Sequence, residues 1–421
     1  MITSLALASL LSCSRDDTDP TTPDTPSSEL DFIGDVGPAL IGDDEVGDDG
    51  LILDRLAVLL DDEVDEASFT AALASVGGTV ASSLEGFAWL TITVPPMADL
   101  ADAQRVAAEL SALPGIRRAR PAWLATTPGP VAGNRGAPSG PEGTEQPALG
   151  LQRFYAAWNA APLATNKVPV YVVDFYTENR PLPQLTAQRF AGPAPRTVDV
   201  AIDGEVAGNH GFWVTSLIGA DVDGAVPTGT HADPATTLDL VSVNVRDVGD
   251  ELDVLLELGR TLPLSEFFVL NTSFGFRGGE SALDRAEVAL AWRELLVRRG
   301  ASFVHTTSAG NSAGDAATTG RNSAFTLQAF DDDLGALVPA TDRDDITEAI
   351  EDARGRVGER IDHVQGQTLV VGASTESGSE SSFSNRGATV RMIGEGLTGV
   401  CARKDKLCGD SPSGLVMTDR G

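Results

Sequence analysis

Apolar and polar positions alternate along residues 51–125 in a way that predicts a small α+β domain. Strand-type and helix-type patterns follow one another in the order 51–60, 66–76, 78–81, 87–94, 100–113 and 116–123. The resulting β-α-β-β-α-β order predicts a ferredoxin-like fold of the split βαβ type.

From residue 149 onward, the pattern changes to long alternations of strand and helix. Continuous β-branched and apolar runs, typical of strands buried on both faces, occur at 168–173, 238–245, 266–272, 301–306 and 368–373. Helical or irregular segments separate them, including 281–299. This alternation predicts an α/β domain with a mostly parallel sheet and helices on both faces.

Three polar residues stand where such a sheet carries its chemistry. Asp174 ends the first strand, at the carboxyl edge. His210 begins a helix whose apolar residues recur at helical spacing, and Asn311 lies in the turn after the strand at 301–306. Alone, a histidine at a helix start is more often a packing or capping residue. An acid, an imidazole and an amide in this order are the parts of a serine hydrolase.

Five motifs in chain order resemble the subtilisin-like (subtilase) family of serine peptidases. They are the strand-end Asp174, His210-Gly211, Asn271–Gly275, Ser308–Asn311 and Phe383–Gly387. Any one of these motifs would be a weak signal, whereas their order and spacing together are specific.

The resemblance implies a role for each matching residue. Asp174 would orient His210, His210 would take the proton of a nucleophilic serine, and the Asn311 amide would donate to the oxyanion. The channel where substrate backbone adds as a strand would be lined by Gly275, Ser308, Ala309 and Gly310. Protein or peptide substrates are the partners implied.

The resemblance also implies a domain plan. Residues 51–125 would be a propeptide that assists folding and caps the active site, 126–148 a linker with the processing site, and 149–421 the catalytic domain. We expect this domain to be incomplete at its C-terminus, because the family's Gly-Thr-Ser nucleophile motif is missing and Gly421 could be its glycine. Ser411 and Ser413 are poor substitutes, since no helix follows them. The chain as written would then be inactive.

Two places depart from the family pattern. Phe175 and Tyr176 follow Asp174, where the family has a small polar residue and then glycine, and Phe212 and Trp213 follow Gly211, where it has Thr or Ser and then His. These aromatic residues could reshape the cleft toward particular substrates, or they could mark a site that has lost activity.

The N-terminus predicts export. Residues 1–13 resemble a lipoprotein signal that ends on the lipobox Leu10–Cys13, so that Cys13 would be lipidated and tether the protein to a membrane. A plain secretory signal is the alternative, since the first residues lack Lys and Arg. Residues 14–50 are acidic and rich in Thr and Pro, which predicts a disordered linker. Both alternatives place the protein in the cell envelope or outside the cell.

The charge and the cysteine and histidine content of the chain bear on the ligands that it can bind. A net charge of −31 argues against nucleic acid, which requires clustered Lys and Arg. Cys401 and Cys408 would close a short disulfide loop in an exported protein.

The remaining histidines lack zinc spacing, so we predict no metal in the site, and the chemistry requires no cofactor. An acidic insertion at about 313–366 is compatible with structural calcium, although a solvated acidic face is the simpler interpretation and no ligands can be named.

Three functional hypotheses follow. The first is an exported serine endopeptidase with an Asp-His-Ser mechanism, and the second is a non-catalytic binding lipoprotein on a peptidase scaffold. The third is a nucleotide-binding α/β domain, which is disfavoured because no glycine-rich phosphate loop follows the first strand.

Overall fold

The computed structural model describes most of residues 30–126, 167–191, 201–220, 238–245, 251–276, 282–311, 340–402 and 409–419, with short gaps inside several of these ranges. Two main sheets are present in these residues, a four-stranded antiparallel sheet and a seven-stranded parallel sheet.

The N-terminal domain has the predicted β-α-β-β-α-β order. Its elements are β1 (Leu51–Leu60), α1 (Glu66–Val76), β2 (Thr79–Ser83), β3 (Trp89–Thr93), α2 (Leu100–Ser111) and β4 (Ile116–Trp123). The sheet order β2-β3-β1-β4 is that of a ferredoxin-like domain. Aspartate side chains cap both helices, as Asp65 accepts a hydrogen bond from Ser68 N and Asp99 accepts one from Asp102 N. The predicted α+β domain is confirmed.

Part of the segment predicted as a disordered linker is ordered on this domain. Leu30 and Ile33 are buried, and the ring of Phe32 lies 5.8 Å from that of Phe69. Val36 bridges to Ser83 of β2. The apolar residues of Leu30–Ile33 interrupt the otherwise polar composition, and they pack into the core of the N-terminal domain.

The strands of the seven-stranded sheet are β6 (Val168–Asp174), β7 (Gln188–Ala191), β10 (Leu238–Asn244), β11 (Phe268–Thr272), β13 (Phe303–Ser308), β14 (Thr368–Ser374) and β15 (Val390–Ile393). The sheet is entirely parallel, and its order is β15-β14-β13-β11-β6-β10-β7. The predicted strands match five of these within three residues at each end. The short edge strands β7 and β15 were not predicted.

Helices cover both faces of this sheet, as predicted. Val170 and Val172 of β6 pack in one apolar cluster with α3 (Asn209–Gly219), whereas Tyr171 and Val173 pack in another cluster with α4 (Glu251–Thr261) and α5 (Ala282–Arg299). Successive side chains of a strand point to opposite faces, so these clusters define the two sides.

The remaining elements surround these layers. Helices α6 (Ala340–Val357) and α7 (Arg360–Gly366) pack on α5. The smaller pairings are β5 (Ala125–Thr126) with β12 (Gly275–Phe276), β8 (Ala201–Ile202) with β9 (Glu205–Val206), and β18 (Gly414–Asp419) between β16 (Leu397–Cys401) and β17 (Gly409–Ser411). No helix in the described residues is long and apolar enough to cross a bilayer.

The strand order reverses direction at β6. From β6 the chain passes through the edge strand β7 and helix α3 to β10 on one side, and then through α4 to β11 on the other side of β6. The crevice beyond the carboxyl ends of β6 and β11 is therefore a topological switch point, where open α/β sheets bind their ligands.

The two sheets share one hydrophobic core across α4 and α5. Buried arginines of the N-terminal sheet complete this contact, with Arg55 Nη1 donating to Asp253 Oδ2 at 3.0 Å and Arg120 paired with Glu251. At the rim of the contact, Arg118 Nε lies 2.9 Å from Glu287 Oε2.

Candidate active site

Asp174 and His210 meet at the switch point of the parallel sheet. His210 Nδ1 lies 2.7 Å from Asp174 Oδ1. The carboxylate is fully buried, whereas the imidazole retains 25% of its side-chain exposure. The same Oδ1 accepts a hydrogen bond from Phe175 N at 2.7 Å. A buried acid thus holds one edge of a ring whose other edge can reach a ligand.

This geometry fixes what the imidazole can do. An ionised carboxylate only accepts hydrogen bonds, so Nδ1 of His210 is the protonated nitrogen in the neutral ring. Nε2 is then the nitrogen that carries the lone pair and can take a proton. After that transfer, the buried carboxylate of Asp174 stabilises the imidazolium.

Close backbone packing explains the glycine after His210. Gly211 N donates to Phe175 O at 2.9 Å. A Cβ at position 211 would lie 2.5 Å from that oxygen and 2.8 Å from the ring of Tyr176. Only glycine fits this contact, which joins the first turn of α3 to the turn after β6.

The four aromatic residues that depart from the family pattern are buried. Tyr176 makes edge-to-face contacts with Phe190 at 5.1 Å and with Phe212 at 5.2 Å between ring centroids. Phe175 packs edge-to-face on Phe274, and Trp213 lies under Gly399 of β16. These rings pack around the Asp174–His210 pair, and Trp213 lies 6.1 Å from the His210 ring between centroids.

The segment Ser308–Asn311 leaves the carboxyl end of β13, two strands from β6. Ala309 N donates to Val371 O at 2.8 Å, and Gly310 has a φ of 94°, in the left-handed region that favours glycine. Gly310 O accepts a hydrogen bond from Asn385 N at 2.9 Å. The fourth and fifth motifs of the sequence are therefore in contact with each other.

Gly275 lies three residues after the end of β11, the strand between β13 and β6. Gly275 pairs antiparallel with Thr126 and Phe276 with Ala125. The chain's own segment after β4 thus forms a strand on the edge where the family resemblance places substrate backbone.

Other predicted residues lie elsewhere. Cys13, Cys408 and Ser413 are outside the described residues, as is the side chain of Cys401, and Ser411 lies in β17. His305 is buried in the core, with its Nε2 2.9 Å from Thr272 Oγ1, and this burial lowers its pKa to about 3. In the described part of the chain, no group of three or more His, Cys, Asp or Glu residues could hold a metal ion.

Sequence reasoning missed Asn244, which ends β10 directly beside Asp174 in the sheet register. Its buried amide bonds both backbone groups of Tyr176. An amide closing an apolar strand that follows the histidine helix is a signal that the sequence did contain.

No family model and no curated protein matches this chain. Among solved structures it is similar to a mutant of the epidermin leader peptide processing serine protease EpiP from Staphylococcus aureus, at 12% identity and a TM-score of 0.48, over 87% of this chain and 84% of that one. It is also similar to MycP1 from Mycobacterium smegmatis, at 14% identity and a TM-score of 0.37, over 70% and 73% of the two chains. Similarities of this size do not establish a family.

Proposed function

We propose that this chain carries the acid and the base of an exported serine-type endopeptidase that hydrolyses peptide bonds. The observation that carries the proposal is the 2.7 Å contact between a buried Asp174 and a partly exposed His210 at the switch point of a parallel sheet. Nucleophilic catalysis by serine requires such a base, because a serine hydroxyl attacks a peptide carbonyl too slowly unless its proton is removed.

In the proposed reaction, His210 Nε2 takes the proton of a serine hydroxyl as its oxygen attacks the peptide carbonyl. The Asn311 side-chain amide donates to the oxyanion of the tetrahedral intermediate. The imidazolium then gives its proton to the leaving amine, and water repeats the sequence on the acyl-enzyme. The serine that this reaction requires is not assigned to a residue of the described structure.

We further propose that the N-terminal domain is a propeptide that covers the substrate edge. The pairing of Ala125–Thr126 with Gly275–Phe276 supports this, because an extended segment there would cover the edge on which we propose that substrate backbone adds as a strand. The linker at 126–148 that follows would hold the processing site. Export through residues 1–13, with Cys13 as a lipid anchor, remains part of the same proposal.

The test begins with the residues encoded after Gly421. We expect Thr-Ser followed by an apolar helix, and we expect a fluorophosphonate probe to label the extended chain after linker cleavage. His210→Ala should abolish labelling, whereas the control His363→Ala in α7 should retain it. A stop codon, or equal labelling of His210→Ala, would reject the endopeptidase and favour a binding protein on this scaffold.

A further inference from the structure

The turn Asp174–Tyr176 is fixed to two different elements. On one side, Val245 N, just after β10, donates to Asp174 O at 2.9 Å. On the other side, Gly211 N of α3 donates to Phe175 O at 2.9 Å. The turn therefore connects the strand that carries the acid with the helix that carries the base.

Asn244 closes this turn with a two-way hydrogen bond. Tyr176 N donates to Asn244 Oδ1 at 3.1 Å, and Asn244 Nδ2 donates to Tyr176 O at 3.2 Å. The backbone N–H can only donate and the carbonyl can only accept, so the orientation of the amide is settled by its partners. Asn244 is 1% exposed, so water cannot replace either bond.

We propose that Asn244 is a positioning residue for the Asp174–His210 pair. The turn that it clamps presents the carboxylate, supplies the Phe175 N–H that bonds the same Oδ1, and supplies the carbonyl that holds Gly211 next to His210. Because a single turn sets both halves of the pair, loosening it separates Oδ1 from Nδ1. The catalytic meaning of this role rests on the proposed function, but the geometry can be tested without catalysis.

The phenolic side of Tyr176 adds to the same clamp. Its hydroxyl lies 2.7 Å from Thr215 Oγ1 of α3 and donates to Val172 O of β6 at 3.3 Å. Tyr176 thus spans from strand to helix through its side chain, while Asn244 fixes its backbone. Without the amide, the two Tyr176 backbone groups would be buried without these partners, which costs more than the loss of an exposed bond.

The test is the solvent exchange of the His210 Nδ1–H proton, measured by NMR on the 421-residue chain. In the unchanged chain we expect a low-field resonance with slow exchange, and its assignment is checked by its loss in His210→Gln. Asn244→Ala should speed the exchange roughly tenfold, in keeping with the loss of buried hydrogen bonds. Asn244→Asp retains the acceptor for Tyr176 N and should give an intermediate rate.

The matched control is Gln188→Ala, which removes another buried amide of the same sheet, one that donates to Ser242 Oγ at 2.8 Å. Gln188→Ala should leave the exchange rate within about twofold of the unchanged chain. Equal rates in Asn244→Ala and Gln188→Ala would overturn the positioning role. If Asn244→Ala does not fold, Asn244→Asp decides, since a rate equal to that of the unchanged chain also overturns it.

The two proposals fail separately. Slow exchange that is lost in Asn244→Ala, together with no fluorophosphonate labelling of the extended chain, would reject the endopeptidase and retain the positioning role. If the extended chain is labelled and the exchange rate is the same in Asn244→Ala as in the unchanged chain, only the role of Asn244 is rejected.

Discussion

The two faces of the seven-stranded sheet are stabilised by different means. On the face covered by α3, the contacts are aromatic packing and backbone hydrogen bonds around Asp174 and His210. On the face covered by α4 and α5, buried carboxylates are paired with arginines of the N-terminal domain, as in Arg55–Asp253 and Arg120–Glu251.

The difference shows which part of the molecule each face depends on. On the first face, aromatic packing and backbone hydrogen bonds within the α/β domain fix the positions of Asp174 and His210. The second face carries charges on helices that face another domain, and buried charges are tolerated only when they are paired and hydrogen-bonded. The buried carboxylates on this face therefore require the arginines of the N-terminal domain.

The largest effect is expected on the first face, from Asp174→Asn in the extended chain. An amide at position 174 can hold the wrong tautomer of His210, and such a change lowers turnover by roughly 10⁴-fold in enzymes with this mechanism. Hydrolysis of a peptide substrate, compared with the unchanged chain, measures it. A loss below tenfold would mean that Asp174 does not orient the base.

On the second face, Arg55→Ala should cost about 3–5 kcal/mol of unfolding free energy, because it leaves Asp253 buried without this partner. Urea unfolding measures the loss. The control is Arg105→Ala on α2, whose pairs with Asp102 and Glu109 are exposed to solvent and should contribute little to the unfolding free energy. Equal costs for the two variants would remove the distinction drawn between the faces.

Packing on the first face is tested by Gly211→Ala. The added Cβ would meet Phe175 O and the Tyr176 ring, so we expect a cost of about 1–3 kcal/mol in unfolding free energy. Gly355→Ala on α6 is the control, because nothing lies within 4 Å of its added Cβ and a helical alanine should stabilise by up to about 1 kcal/mol. A neutral Gly211→Ala would show that the contact is loose.

The smallest effect is a pH dependence at the domain contact. Burial raises the pKa of Glu287 to about 7, against the opposing effect of Arg118 and Arg120. The folded protein then binds a proton that the unfolded chain releases near pH 4.5. The contribution of Glu287 to the unfolding free energy is therefore complete below that pH and is lost as pH rises through about 7.

Glu287→Gln should flatten this dependence, which we expect to amount to about 1–2 kcal/mol between pH 5 and 8. Urea unfolding at several pH values measures it, with the exposed Glu109→Gln as the control. A slope that is unchanged in Glu287→Gln would assign the titration to another group.

Much of the fold could be predicted from the sequence because the burial of a strand or helix face determines the spacing of its apolar residues. Strands covered on both faces read as continuous apolar runs, as at Val168–Asp174, and the capped helices of the N-terminal domain read from their periodicity. The edge strands β7 and β15 have only four residues each, too few to give a pattern.

The remaining features depend on partners that are distant in sequence. Asn244 acts on a turn 68 residues earlier, and Arg55 pairs with a carboxylate 198 residues later. Arg55 follows Asp54 in β1, and Arg120 follows two other arginines in β4, so neither strand identifies the buried partner of its arginine. The burial of Tyr176 and Phe212 likewise follows from their packing on each other and not from their positions beside Asp174 and Gly211.

The central claim, that Asp174 holds His210 ready to accept a proton at Nε2, is tested most directly by the tautomer of the neutral imidazole. Nitrogen-15 NMR of the folded chain distinguishes the two ring nitrogens. The account predicts that Nδ1 carries the proton in the unchanged chain and that this preference is lost in Asp174→Ala. A neutral His210 protonated at Nε2 in the unchanged chain would contradict it.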